Sequence, residues 1–373
     1  MNPRFVVAAL CVLGPLTCVA YGGNINGEAT YVSFSVPGAL GTYPMGINAS
    51  MEVTGYYNAS SAQRGFLREA DGTITTFAVG GATSTVPEGI NAAGDITGYY
   101  LKPMVYTELG FLRYADGQII TFDTNQTNGQ LGFLPAGIND FGEIAGNLVN
   151  HGASAATRSR EGVFSSLVLG SPDGPVGTAT ALNASGSVVG YYEQGGYSLF
   201  TGFVVHPDGY WAEIQLPAGP FPYCSNQIFP DAINATGTIA GFFTKNYSFD
   251  ANCGPSSTGG FVVSPEGELT LFQAPGPIPL FDDHVQDEFL RAPHWISIDQ
   301  AGDIAGSYTL GPNGDSYHGF VRNPYGTITS FDPPEGAQTH VTGINDGGAI
   351  AGYYSYNYMG GFQLPVGFIR IPQ

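Results

Sequence analysis

The chain has 373 residues, with 55 Gly, 26 Pro, 43% hydrophobic and 13% aromatic residues, and a formal net charge of −19. That acidity repels nucleic acid and anionic lipid surfaces and leaves neutral sugars, cations and basic proteins as partners. The length exceeds one compact core unless packing is spread over repeated units, and the regular placement of apolar and aromatic residues excludes a disordered chain despite the Gly and Pro content.

The N-terminus carries one basic residue, Arg4, then an apolar run from Phe5 to Leu16 broken by Gly14-Pro15, then small residues around Cys18-Val19-Ala20. This is the layout of a secretory signal peptide, read here as residues 1–22. The run is short and interrupted for a spanning helix, so no membrane span is expected after cleavage. A retained N-terminal anchor is the alternative. The expected location is secreted, extracellular or periplasmic, with residues 23–373 forming one domain.

From there a twelve-residue phrase occurs seven times: GINASMEVTGYY at Gly46, GINAAGDITGYY at Gly89, GINDFGEIAGNL at Gly137, ALNASGSVVGYY at Ala181, AINATGTIAGFF at Ala232, SIDQAGDIAGSY at Ser297 and GINDGGAIAGYY at Gly343. The spacings are 43, 48, 44, 51, 65 and 46 residues. Periods of this size mark stacked or radial repeats, in which one copy buries its apolar surface only against the next.

Each period offers four strands. Strand a ends in the Ile-Asn of the phrase, and the Asn-x-x-Gly that follows is a tight turn, Asn bonding its own backbone and Gly accepting positive φ. Strand b is the Ile-x-Gly-aromatic segment. Strand c carries Gly-Phe, as at Gly65-Phe66, Gly110-Phe111, Gly202-Phe203, Gly260-Phe261 and Gly319-Phe320. A turn such as Ala70-Asp71-Gly72 then leads into strand d, an alternating run ending in Phe, such as TITTF at 73–77. The predicted fold is all-β, a seven-bladed β-propeller of four-stranded antiparallel blades. TYVSFSVPGA at 30–39 resembles a strand d without a, b or c before it, while the last period lacks a strand d after GFIRIP at 367–372. The N-terminal strand would therefore close the ring and remove an exposed edge. A linear β-solenoid is the alternative.

This topology sorts the loops onto two faces. The a–b and c–d turns are short and share one face. The b–c and d–a connections share the other and hold the length variation, at 147–161, 193–201, 217–231, 243–259 and 273–295. Cys224 and Cys253, on this long-loop face, read as one disulfide in an exported chain. His151, His284, His294, His318 and His340 also fall there, and His206 falls near a c–d turn.

The most distinctive unrepeated segment is FDDHVQDEFLRAPHW at 281–295. Its Asp282, Asp283, His284, Asp287, Glu288, His294 and Trp295 make a candidate ligand-binding set. Clustered carboxylates suit a hard cation, Ca²⁺ first, and His with Asp suits a transition metal. A solvated acidic loop is the alternative reading, and no cofactor follows from the spacing. The Asn series (Asn48, Asn91, Asn139, Asn183, Asn234, Asn345, with Asp299 in the sixth copy) is accounted for by turn formation. The paired aromatics of strand b, such as Tyr56-Tyr57 and Tyr353-Tyr354, read as core, with a sugar-stacking platform as the alternative. The chain lacks the Gly-x-Ser-x-Gly, Walker, His-Glu-x-x-His and dinucleotide motifs, so no catalytic residue is assigned.

The phrase Gly-Ile-Asn-x-x-Gly-x-Ile-x-Gly, followed by a Gly-Phe strand and a Gly turn, resembles the HAF family of extracellular repeats. That family is named for a His-Ala-Phe at the start of its third strand. The corresponding triplets here are Arg64-Gly65-Phe66, Leu109-Gly110-Phe111, Thr201-Gly202-Phe203 and His318-Gly319-Phe320, and the likeness spans residues 30–372. It implies an exported bacterial protein with a β-propeller-like fold and brings no catalytic residues. The functional expectation is an exported, non-enzymatic binding or interaction module that holds a glycan or an extracellular protein on its long-loop face. The alternative is a carbohydrate-active hydrolase or lyase with acidic residues near the channel mouth.

Overall fold

A computed structural model describes residues 20–22, 29–104, 108–122, 132–149, 153–169, 177–194, 199–216, 225–247, 257–279, 296–310, 316–334, 336–358, 361–362 and 364–373. These residues form strands and turns, without a helix. No helix among them is long and apolar enough to cross a membrane, which says nothing of a span built from strands.

The first repeat shows how the phrase folds. Strand a runs Thr42–Ile47, strand b Val53–Asn58, strand c Gln63–Arg68 and strand d Ile74–Phe77, each antiparallel to the one before. The Asn48 N–H donates to the Glu52 carbonyl at 3.0 Å and closes the a–b turn. The same meander recurs along the chain. It gives four separate four-stranded sheets, an eight-stranded sheet and a six-stranded sheet. The eight-stranded sheet is two four-stranded halves joined by one parallel bridge, Gln63 to Ser84. In the six-stranded sheet the strand Thr30–Phe34, which carries Ala20–Gly22 on one edge, pairs on the other antiparallel with Val366–Ile371, Thr30 opposite Ile371 and Phe34 opposite Gly367. The early strand thus supplies the strand d that the last repeat lacks. Successive a strands touch one another along the chain, and the last, Gly336–Ile344, touches the first, Thr42–Ile47.

A feature of strand a explains the last Gly of the phrase. A β-bulge interrupts the ladder between Pro44 and Gly46, and again between Pro87 and Gly89, Pro135 and Gly137, Ala179 and Ala181, Pro230 and Ala232, and Val341 and Gly343. It sets a strand-a carbonyl against strand b, where a Cβ at Gly55, Gly98 or Gly352 would collide with it. A side chain has no room, and all seven copies carry Gly at that point.

Apolar packing lies between the sheets. Phe66, Phe111, Phe320 and Phe368 of the Gly-Phe strands are fully buried. Each meets edge-on the strand-d Phe of the preceding four-stranded unit: Phe34, Phe77, Phe272 and Phe331. The same strand-d rings carry a guanidinium on another side. Arg68 lies over Phe34 at 5.2 Å, Arg113 over Phe77 at 5.0 Å, Arg322 over Phe272 at 5.0 Å and Arg370 over Phe331 at 4.9 Å. Burial holds the Arg113, Arg158 and Arg322 guanidinium groups below their ordinary pKa, because desolvation penalises the charge. Arg68, Arg113, Arg158 and Arg322 each also donate to the next backbone carbonyl.

Three connections expected as long loops contain more strand than expected. Residues 147–161 include parts of Ile144–Val149 and Ala153–Arg158, 193–201 parts of Val188–Gln194 and Leu199–Val205, and 243–259 parts of Ile239–Tyr247 and Ser257–Val263. The ladder continues there through polar pairs such as Lys245 opposite Ser257, because backbone pairing does not require apolar alternation.

Candidate functional site

Asp282, Asp283, His284, Asp287, Glu288, His294, Trp295, Cys224 and Cys253 lie outside the described residues, as do residues 1–19 of the expected signal peptide. Among the described residues no group of three or more His, Cys, Asp or Glu is placed to hold a metal ion.

The Asn series does more than turn the chain. Each Oδ1 caps its own turn, as Asn91 does by accepting from the N–H groups of Ala93 and Asp95 at 3.1 and 2.9 Å. Each Nδ2 crosses to the next copy. Asn48 donates to the Asn91 carbonyl, Asn91 to Asn139, Asn139 to Asn183, Asn183 to Asn234 and Asn234 to Asp299, all at 3.0–3.1 Å. Asn345 then donates to the carbonyl of Asn48 at 2.9 Å. At Asp299 a carboxylate stands in place of the amide. That contact is bridged instead by the Ile344 N–H donating to Ser297 Oγ and the Gln300 N–H donating to Asp346 Oδ1, at 3.3 and 3.2 Å. Burial raises the Asp299 pKa, opposed by backbone N–H donors beginning with Asp303. These amides are thereby engaged by the scaffold itself.

On the long-loop side a different arrangement is only partly buried. Tyr43 and Tyr56, cross-strand partners in the first repeat, stack at 4.6 Å with an interplanar angle of 8°. Tyr353 meets Tyr43 edge-on at 5.1 Å and stacks on its own cross-strand partner His340 at 4.6 Å and 10°. His340 in turn stacks on Tyr317 at 4.3 Å. Five rings from three repeats thus form one continuous seam. Tyr43, Tyr56, Tyr317 and Tyr353 are half-buried, and His340 is buried beneath its neighbours. The Tyr317 N–H donates to Gln338 Oε1 at 3.0 Å, and Asn58 Nδ2 donates to the Tyr43 hydroxyl at 3.3 Å, which fixes two of the five rings.

At the same register on the fourth and fifth repeats, Tyr191, Phe229 and Phe242 make a corresponding cluster that is buried. Desolvation pushes the Tyr191 hydroxyl up to about 12, with the Asp231 charge adding to it. The strand-b aromatics are therefore core in one part of the molecule, as expected, and a partly exposed strip in another. Tyr43 and Tyr317 were not signalled by the paired aromatics; for Tyr43 the cue was the aromatic before Pro in strand a, Tyr43-Pro44, repeated at Phe229-Pro230. On the opposite, short-turn side a cleft of about 520 Å³ is lined by residues including Glu143, Arg158, Leu182, Ser185 and His206.

No protein-family model matches the chain, and no curated protein matches it. Among solved structures it is similar to virginiamycin B lyase from Staphylococcus aureus, at 14% identity with a TM-score of 0.53, over 92% of this chain and 100% of that one. It is also similar to puromycin hydrolase, at 13% identity with a TM-score of 0.54, over 86% of this chain and 52% of that one. At such identities the likeness is one of fold. With the sheets described above, it defines an all-β, propeller-like repeat protein.

Proposed function

We propose that this chain is an exported seven-bladed β-propeller of the HAF-repeat type, closed by its N-terminal strand, that binds a glycan on its long-loop face. The pairing of Thr30–Phe34 with the last repeat and the Asn345–Asn48 bond support closure. The observation that carries the binding reading is the seam of Tyr56, Tyr43, Tyr353, His340 and Tyr317. Half-buried rings held by β ladders and stacked on one another leave their edges and hydroxyl groups to a ligand, which suits the hydroxyl rim of a neutral sugar. The acidic segment 281–295, which lies outside the described residues, is retained as the candidate Ca²⁺ site that the test below probes.

The test is retention of the mature protein on a panel of neutral polysaccharides, with and without Ca²⁺, alongside a Tyr43→Ala/Tyr353→Ala variant. Retention that falls at least tenfold in the variant supports the seam as the binding surface. Equal retention by both proteins, or none by either, overturns it. Release of oligosaccharides would replace retention with the hydrolase or lyase alternative.

A further inference from the structure

Beside the seam, strand Ser316–Arg322 places Ser316 and His318 two residues apart, hence on one face. His318 Nε2 lies 3.2 Å from Ser316 Oγ, and His318 Nδ1 lies 2.8 Å from Asp332 Oδ2. Asp332 follows strand Ile328–Phe331, in which Phe331 is opposite Gly319, so the ladder brings the carboxylate alongside His318. The Thr339 hydroxyl, from the next repeat, donates to the other carboxylate oxygen, Oδ1, at 2.6 Å. The Tyr308 ring packs against the imidazole at 5.4 Å. The carboxylate and the ring are thus both held in place, while the side chains of His318 and Asp332 remain 23% and 34% exposed.

We infer that Ser316, His318 and Asp332 form a nucleophilic triad that hydrolyses neutral carboxylic esters. Each nitrogen of the imidazole faces the group that this chemistry requires. Nδ1–H donates to Asp332, which fixes the tautomer and leaves the Nε2 lone pair toward the Ser316 hydroxyl. The Ser316 hydroxyl also reaches the Leu310 carbonyl at 3.2 Å, so its proton has two acceptors, and transfer to Nε2 is the reactive one. The repeat supplies its own control. The position of His318 is occupied by Arg64, Leu109, Thr201 or Gly259 in other copies, and the residue after the strand-d Phe or Ile is Ala78, Gln215 or Gln273 in three of them; the second copy has Asp123 there but Leu109 in place of the His. The scaffold therefore does not demand a His–Asp pair here. The acidic balance of the chain, −19, disfavours anionic phosphate esters and leaves uncharged acyl esters as the substrate class.

In the reaction, Ser316 Oγ bonds to the ester carbonyl carbon as its proton passes to His318 Nε2. The adduct collapses with cleavage of the acyl–oxygen bond, and the departing alkoxide takes the proton from Nε2. Water then attacks the acyl-serine, giving its proton to Nε2. The acyl-serine bond breaks, that proton returns to Ser316 Oγ, and the carboxylic acid leaves. The net change is ester plus water to acid plus alcohol. Asp332 orients the imidazole throughout.

The deciding experiment treats the full-length mature protein with a fluorophosphonate, maps the labelled residue by peptide mass spectrometry, and follows p-nitrophenyl acetate hydrolysis in parallel. The expected result is one adduct on Ser316. Ser316→Ala should abolish both labelling and hydrolysis above background, and Asp332→Asn should slow both about a hundredfold or more. Thermal melts of the two variants check that the fold persists. Absence of label on Ser316 in the folded wild type, or undiminished hydrolysis by folded Ser316→Ala, overturns the assignment. The assay is independent of polysaccharide retention, so either reading can fail while the other stands.

Discussion

The side-chain amide of Asn345 donates to the backbone carbonyl of Asn48 at 2.9 Å, joining residues 297 positions apart in the chain. Both residues are buried, with 5% relative exposure each, so water does not readily replace the bond. The same amide that shapes its own turn through Oδ1 therefore ties the last copy of the phrase to the first.

Asn345→Ala removes this tie together with the turn cap. It should lower stability by about 1–3 kcal/mol, the cost of leaving a buried acceptor without its donor. Urea denaturation of wild type and variant checks it, and an unchanged midpoint would show that the contact between the first and last copies does not contribute.

Asp299 is the copy of the phrase that lacks an amide donor. Asp299→Asn supplies one facing the Asn345 carbonyl and should stabilise the protein by about 1 kcal/mol at neutral pH. The sign of the pH dependence follows from burial, which raises the Asp299 pKa above its ordinary 3.8, against the opposing backbone donors. A raised folded-state pKa makes the wild type relatively more stable in acid and costs it stability as pH rises through that value. The margin of the Asn variant should thus open above the ordinary Asp range and shrink below it. Like charge from Asp303 acts in the same direction. Denaturation midpoints measured across the acidic range would reveal a flat difference if Asp299 played no part.

Arg113 and Phe77 belong to neighbouring repeats and meet at 5.0 Å. A double-mutant cycle over Arg113→Ala and Phe77→Ala should return a coupling of about 0.5–2 kcal/mol, since the guanidinium is partly desolvated over the ring. Arg113→Lys should recover only part of it, because the ammonium lacks the planar face that stacks. A coupling near zero would assign the loss to packing alone.

Gly98→Ala tests the bulge. The new methyl group would meet the Val86 carbonyl, a backbone atom that has no rotamer to escape into. The expected cost is about 3 kcal/mol, at the upper end of overpacking effects. Gly80→Ala, where a Cβ meets nothing within 4 Å, is the control and should be nearly neutral.

The local units were legible in the chain. The seven phrases, the hairpin turns and the Gly-Phe strands rest on short-range rules, and the role of 30–39 as a displaced strand d was read from the complementary incomplete ends; strands such as Thr42–Ile47 and Thr30–Phe34 follow. Asn in a turn was equally readable, but its second bond, from Nδ2 to the next copy, was not, because its acceptor lies 43 or more residues away. The terminal Arg of strand c carried a visible repeat at Arg68, Arg113, Arg158, Arg322 and Arg370. Its partner belongs to the preceding four-stranded unit, and only the packing of one unit against the next names that partner.

The sequence by itself determined the repeat, its strand order and the turn chemistry, since these depend on φ preferences and alternation within a few residues. Only the tertiary structure decided which rings meet in the Tyr43–Tyr353 seam and that His318 is flanked by Ser316 and Asp332. Those contacts depend on the register between strands and the packing of one sheet against the next, and register is a property of paired backbones rather than of either segment alone.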